Sequence, residues 1–243
     1  MLKRLFDLIF SIVGITILSP IFLICILAIW LQDFHSPFYI AKRVGKDDKD
    51  FYMIKLRSMI IDADKTGVDS TSSDDNRITG IGKFIRRFKI DELSQLINVL
   101  LGDMSFVGPR PNVRAEIDQY TNLERNLLSF KPGITDFSSI VFSDEGDILE
   151  GSEDPDLLYN QIIRPWKSRL ALVYVKNSNL LLDIKIIFLT ILSIVNKERA
   201  LKTIKNILIK LGASDKVIEI SQRKIDLEPY PPPGSQKIVN DRI

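Results

Sequence analysis

Residues 8–31 read LIFSIVGITILSPIFLICILAIWL, twenty-four in succession without a charge and with a proline at 20. At a rise of about 1.5 Å per residue, such a run would just cover a hydrocarbon core of about 30 Å. Proline is an unusual choice there. It lacks the amide donor, and its ring crowds the carbonyl four residues back. Two architectures compete: a spanning helix kinked at Pro20, or a re-entrant helix-break-helix in which the Ser19 hydroxyl takes up a carbonyl freed by Pro20. The preceding MLKRLFD supplies the basic flank expected on the cytoplasmic side of a membrane. A cleaved signal would have an apolar region of roughly 7–15 residues and a small-residue cleavage site. This run is longer and ends in AIWLQDF, so a retained membrane segment is expected.

Composition narrows the chemistry. A length of 243 residues suits one domain with a sizeable core and a small appendage. The net charge of +2 does not call for nucleic acid. The single cysteine, Cys25, lies inside the apolar run and cannot form an intrachain disulfide, which fits a cytosol-facing protein. His35 is the only histidine, so histidine-centred metal sites and Ser-His-Asp triads are excluded.

Downstream, PFYIAKRVG and FYMIKLRSM are short β-like runs separated by the turn-rich KDDKD. Period-two spacing in the second puts Lys55 and Arg57 on one face, as a solvated strand face or a place for phosphate oxygens. Residues 62–80 are polar and turn-rich and read as a mobile loop. In KFIRRFK, Phe84, Ile85 and Phe88 share a helical face, suited to core packing or to lying at a membrane surface. IDELSQLINVLLGDMSFVGPRP then places Leu93, Leu96, Ile97 and Leu100 at helical spacing, with Asp91 and Glu92 at the helix start. Acids are common in a first turn, where they cap amides and complement the dipole. The acidic stretch 142–157 lacks calcium-loop spacing and reads as a solvated loop. Residues 180–195 are too short and too charged to span well and read as a core or interfacial helix. The basic helix 197–211 carries a stripe of Leu201, Ile204, Leu208 and Leu211 suited to a membrane surface or a partner. The tail with EPYPPPGS folds back, stays disordered or reaches a second subunit.

These segments in order resemble the bacterial sugar transferase family, the monotopic phosphoglycosyl transferases. The resemblance rests on the basic start with Ser19-Pro20, RVGKDDKDFYMIKLRSM, ITGIGKFIRRFKIDELSQLINVLLGDMSFVGPRP, KPGIT at 131–135 and YVKNSNLLLDIKIIFLT at 174–190. It covers roughly residues 1–195. The sequence departs where the family carries a Gly-Arg-Asn-like stretch after KPGIT; here DFSSIVFSDEGDILEG offers no arginine, and Arg164 or Arg169 are the substitutes to consider.

The resemblance implies a reaction and roles. Asp91 would attack the β-phosphate of a UDP-sugar, releasing UMP. A polyprenyl phosphate, typically undecaprenyl phosphate, would then displace the aspartyl phosphosugar, starting glycan assembly. Glu92 would position metal or substrate, and Asp91 with Glu92 would hold Mg²⁺. Lys55, Arg57 and Arg110 would hold phosphate, Pro109 and Pro111 would fix the turn around Arg110, and Asp183 would lie at the active site. A carboxylate attacking an anionic diphosphate needs that charge neutralised first, which cations and a divalent metal do. The family's re-entrant helix would leave both ends on the cytoplasmic face of the inner membrane.

The expected architecture is therefore α+β and mainly α-helical, with a small β element and interfacial amphipathic helices. Residues 1–35 form the re-entrant membrane helix, 36–195 the catalytic domain, and 196–243 a basic amphipathic helix with an extended tail. Membrane lipid is a partner and a homodimer is plausible. The alternative is a non-catalytic membrane-surface protein that binds lipid or a partner, which would not depend on the Asp91 carboxylate.

Overall fold

The computed structural model describes residues 2–68 and 70–240. The chain is mainly helical, with two small two-stranded sheets. The first helix, α1 (Leu2–Asp33), contains Pro20 and is the one helix among the described residues long and apolar enough to cross a membrane. Its helical conformation is not interrupted at Pro20, so the expected helix-break-helix is one helix instead. The reason is local. Pro20 cannot donate to the Thr16 carbonyl, and the Ser19 hydroxyl donates to that oxygen at 2.8 Å.

One stripe of α1, including Asp7, Ser11, Cys25 and Ile29, faces the rest of the protein, while Ile17, Leu23 and Ile24 on the other side are exposed. Both ends are fastened to the same body. At the start, Lys3 Nζ lies 2.5 Å from Asp183 and Arg4 Nη2 donates to the Leu100 carbonyl at 2.8 Å. At the finish, Arg57 pairs with Asp33 through both terminal nitrogens at 2.5 and 2.6 Å.

A hairpin follows, β1 (Phe38–Val44) and β2 (Asp50–Leu56), antiparallel with Tyr39 opposite Lys55. Asp47 and Asp48 turn the corner in the left-handed region, which Asp tolerates better than most residues. Residues 62–68 and 70–80 are organised, with Arg77 donating to the carbonyls of Ala63 and Val68 and pairing with Asp75. In α2 (Gly80–Arg87), Ile85 is fully buried while Phe84 and the following Phe88 are exposed and packed ring to ring at 5.0 Å, so the three do not share a buried face.

Next come α3 (Gln95–Leu101), β3 (Ser105–Val107), α4 (Arg114–Asp118) and β4 (Gly133–Thr135), with β3 and β4 parallel. Gly108 and Gly133 cross in contact: a Cβ on Gly133 would lie 2.1 Å from the Gly108 nitrogen. After α5 (Phe137–Val141), the acidic stretch contains α6 (Glu145–Ile148) and most of α7 (Pro155–Leu158). It is not a free loop. Leu149 is fully buried, and Asp156 accepts from the Ser70 amide at 2.6 Å.

A π-helical turn at Tyr159–Ile163 leads into α8 (Arg164–Asn177), α9 (Leu180–Val195), α10 (Lys197–Lys210) and α11 (Asp215–Ile220). The main core unites Phe137, Ile163, Trp166, Tyr174, Ile186, Ile204 and Leu208. The apolar stripe of α10 is thus spent on this core and not on a membrane or partner. One side of α9 joins it too, leaving Phe188, Ile191 and Val195 exposed. The tail folds back. Tyr230 lies 4.4 Å from the Trp166 ring with the Arg169 guanidinium 4.8 Å above it, and Thr121 donates to the Pro233 carbonyl.

Candidate active site

Three elements converge on the acidic pair. After α2 the chain passes through Lys89 in the left-handed region (φ 54°) into a single 3₁₀ turn, Ile90–Glu92. Helix α3 begins only at Gln95, so the acids precede the helix and do not form its first turn. The Ser94 hydroxyl fixes the turn to β2 by donating to the Asp91 and Ile54 carbonyls, both at 3.0 Å. Asn98 locks α3 to the same strand, accepting from the Ile54 amide at 2.9 Å and donating to the Tyr52 carbonyl at 2.7 Å.

From β2, Lys55 points at this turn, its Nζ 4.0 Å from Glu92. From the segment after β3 comes Arg110, whose Nη2 is 2.5 Å from Glu92 Oε1 while its Nη1 donates to the Ile134 carbonyl at 2.5 Å. Pro109 and Pro111 bracket that arginine, and the Pro109 carbonyl accepts from the Gly133 amide at 2.9 Å. The β3–β4 crossing therefore sets where Arg110 can reach.

The two acids differ although adjacent. Asp91 is buried and makes no ion pair within 4 Å among the described residues, and burial pushes its carboxyl up, only partly opposed by Lys55. Burial also acts on Glu92, but Arg110, Lys55 and Lys89 outweigh it and hold its carboxyl well below the usual range. Burial lowers the Lys55 and Lys89 ammonium groups against the pull of the acids. Neighbouring titratable groups driven apart in this way suit acid–base or nucleophilic work.

No group of three or more metal-ligating acids, histidines or cysteines occurs among the described residues. The Asp91–Glu92 pair fits a magnesium ion of the kind that keeps water ligands and binds through one or two carboxylates plus substrate phosphate. It does not fit an all-protein cage.

Asp91, Glu92, Lys55, Arg110, Pro109 and Pro111 are brought together; Arg57 and Asp183 are engaged elsewhere. Arg57 lies just past the end of β2, where its guanidinium closes on Asp33 and the Ser36 carbonyl. Asp183 is buried between Lys3 and the Tyr174 hydroxyl, which donates to it at 2.6 Å. Ser19 and Pro20 stay within α1. Neither candidate arginine joins the acids: Arg164 is buried against Glu124 at 3.3 Å, and Arg169 stacks on Trp166 and Tyr230.

Sequence reasoning missed two residues. Lys89 reaches the site because of a backbone conformation that no pattern announces. Glu116 on α4 is half-buried, and burial pushes its carboxyl up to about 7 despite Arg164 and Lys167. Its signal in RAEID was indistinguishable from an ordinary surface helix.

Residues 1–197 match the family described as bacterial sugar transferase. The UDP-N-acetylgalactosamine-undecaprenyl-phosphate N-acetylgalactosaminephosphotransferase of Aeromonas hydrophila is 33% identical over 198 residues, 79% of this chain and 43% of that protein. A putative undecaprenyl-phosphate N-acetylgalactosaminyl 1-phosphate transferase of Bacillus subtilis is 44% identical over 121 residues, 50% of this chain and 68% of that protein. The exopolysaccharide production protein ExoY of Sinorhizobium fredii is 31% identical over 206 residues, 78% of this chain and 83% of that protein. The chain thus spans less than half the length of the first relative and most of the last. With a match running from the first residue through α9, and with these relatives beside it, the chain belongs to the bacterial sugar transferase family.

Proposed function

We propose that this protein transfers a phosphosugar from a UDP-sugar to a polyprenyl phosphate, typically undecaprenyl phosphate, at the cytoplasmic face of the bacterial inner membrane. The observation that carries this is the division of the acidic pair. Glu92 is ion-paired to Arg110, whereas Asp91 is a buried carboxyl with no ion pair within 4 Å among the described residues, with Lys55 of β2 the strongest cationic influence on it. A carboxylate left unpaired in such surroundings is the more nucleophilic of the two.

In the first half, an Asp91 carboxylate oxygen bonds to the β-phosphorus of the donor. The bond from that phosphorus to the bridging oxygen breaks, and UMP leaves with the electron pair. In the second half, an oxygen of the lipid phosphate attacks the aspartyl phosphosugar and Asp91 departs as carboxylate. The products are UMP and a polyprenyl diphosphate sugar, the starting unit for polysaccharide or glycoconjugate assembly. Lys55 and Arg110 offset the anionic charge of the diphosphate, and Arg110, held by Ile134 and Glu92, presents a planar fork suited to phosphate oxygens. Asp91 and Glu92 would hold Mg²⁺ with the donor phosphates, and the ion would supply further charge neutralisation.

Placement on one membrane face is supported by the two fastenings of α1. A helix whose second residue, Lys3, binds Asp183 and whose last residue, Asp33, binds Arg57 has both ends tied to one domain. We read it as a helix that keeps both ends on the same side of the bilayer, its exposed apolar face toward lipid. Cysteine labelling of the N-terminus in intact cells tests this, since accessibility from the periplasm is incompatible with it.

The reaction is tested by UMP release from a panel of UDP-sugars, using detergent-purified protein with Mg²⁺ and undecaprenyl phosphate, beside Asp91→Asn. Lipid-dependent UMP from one sugar, absent in the variant, is the expected result. UMP from the variant at the parent rate would remove Asp91 as nucleophile, and a lipid-binding activity indifferent to that substitution would favour a non-catalytic membrane-surface protein.

A further inference from the structure

Of the cations near the acidic pair, Arg110 and Lys55 are both engaged by Glu92. Arg110 is within 2.5 Å of Glu92 and Lys55 within 4.0 Å of the same carboxylate, so each spends part of its charge on an internal acid. Lys89 does not. Among the described residues it forms no ion pair within 4 Å, and its Nζ donates to a neutral group, the Ser139 carbonyl on α5, at 3.2 Å. That bond crosses from the start of the turn carrying Asp91 to α5, the segment after KPGIT.

Its backbone points the same way. Lys89 adopts a φ of 54°, a conformation that disfavours a residue with a side chain and that proteins keep where the surroundings enforce it. The left-handed residue lies two positions before Asp91 and swings the long side chain from the α2 face toward α5. The ammonium is half-buried, within electrostatic reach of Glu92, Arg110, Asp91 and Lys167. A desolvated cation satisfied by one carbonyl has donor capacity to spare, since an ammonium offers three N–H groups.

We infer that Lys89 is a phosphate-binding residue of the Asp91 site, its Nζ contributing the positive charge that Arg110 and Lys55 share with Glu92. The inference rests on the transfer reading above for the identity of the anion. A phosphate oxygen is the ligand chemistry, from either the nucleotide diphosphate or the lipid phosphate.

The test uses the full chain in detergent with three forms: parent, Lys89→Arg and Lys89→Gln. Glutamine can still donate to the Ser139 carbonyl but has no charge, so it separates phosphate binding from a brace between the turn and α5. UDP binding is measured by titration calorimetry, which needs no turnover, and KM is measured separately for the active UDP-sugar and for undecaprenyl phosphate. The expected result is at least tenfold weaker UDP binding in Lys89→Gln with most affinity kept in Lys89→Arg. Unchanged UDP affinity with a tenfold higher KM for undecaprenyl phosphate would keep the role and assign it to the lipid phosphate. Lys89→Gln within twofold of the parent in all three constants would overturn the proposal. A parent that binds UDP but releases no UMP from any sugar would sink the transfer reading while leaving the Lys89 result legible. Were Lys89→Gln to unfold, Lys89→Arg alone decides, since loss of UDP affinity in a folded, charge-conserving variant also overturns it.

Discussion

Arg110 and Glu92 are joined at 2.5 Å with only about a fifth of each side chain exposed, 20% and 19%. The same guanidinium also holds the Ile134 carbonyl, so it braces β4 as well as the acid. Arg110→Lys keeps the charge and loses the fork, because an ammonium cannot serve both oxygens and a carbonyl in one plane. We expect turnover to fall by about 100-fold, comparable with losing one preorganised transition-state donor. Arg110→Ala should also destabilise the fold by roughly 1–3 kcal/mol, less than a fully buried pair because of the remaining exposure. Kinetics and urea unfolding on the two variants separate the effects.

Asp91 must be ionised to attack, and burial raises its carboxyl above the ordinary aspartate value of 3.8. The rate of adduct formation should therefore fall with decreasing pH along a limb displaced above that of an exposed aspartate. Lys55 is the largest influence opposing that rise, so Lys55→Met should move the limb to still higher pH, whatever it does to the maximum rate. A limb that stays in place in Lys55→Met would show that the titrating group is not Asp91.

The hairpin, the helix after Asp-Glu and the α9–α10 pair were legible because strand alternation and helical stripes are local patterns. The DE and GPRP motifs mark half the site by themselves. What could not be read was direction. Lys55 and Arg57 share a strand face by alternation, yet the strand ends at Leu56, and Arg57 turns to Asp33 from outside the ladder. Asp183 looked like an active-site acid intruding into an apolar helix, and its partner proved to be Lys3, 180 positions away in sequence. A stripe such as that of α10 says that something covers it, and only tertiary packing says that the cover is α9 and α5.

The two fastenings of α1 predict a split between stability and substrate binding. Asp183→Asn loosens the first turn of the helix and Arg57→Ala the last. Because the pairs lie at opposite ends of the helix and share no partner, their costs should add to within about 0.5 kcal/mol. KM for the UDP-sugar should change by less than about threefold in Arg57→Ala, whereas a tenfold rise would restore Arg57 as a phosphate ligand. Thermal unfolding in one detergent, with the double variant included, checks additivity, and steady-state kinetics check the second point.

Gly133 and Gly108 set the position of Arg110 through backbone contact. A methyl group on Gly133 would sit 2.5 Å from the Gly108 oxygen and 2.1 Å from its nitrogen, and neither is the free end of a flexible side chain. Gly133→Ala must push β4 away from β3, costing about 1–3 kcal/mol for an overpacked site. Activity should fall by more than the stability loss explains, because Ile134 and with it the grip on Arg110 move too. A variant that unfolds at lower temperature yet has parental kcat below its transition would disprove the coupling.

Glu116 gives the pH dependence of stability a definite sign. Its carboxyl sits at about 7 in the folded protein against an ordinary 4.5. Between those values the folded chain holds a proton that the unfolded chain has released, so this residue makes stability fall as pH rises through the window. Below about 4.5 both states are protonated and the contribution vanishes; above about 7 the folded chain carries the full cost of a half-buried charge. Glu116→Gln removes the titration without removing the side chain. It should match the parent at pH 4 and be more stable at pH 8. The difference has a ceiling of roughly 3 kcal/mol, because displacing a carboxyl by one pH unit costs about 1.4 kcal/mol, and solvent screening reduces it further. Urea unfolding of both proteins across pH 4–8 measures the difference. Curves that stay parallel would mean that water or a neighbouring cation keeps Glu116 ionised, and that α4 opens more readily than the burial of Glu116 near Tyr120 and Tyr159 implies.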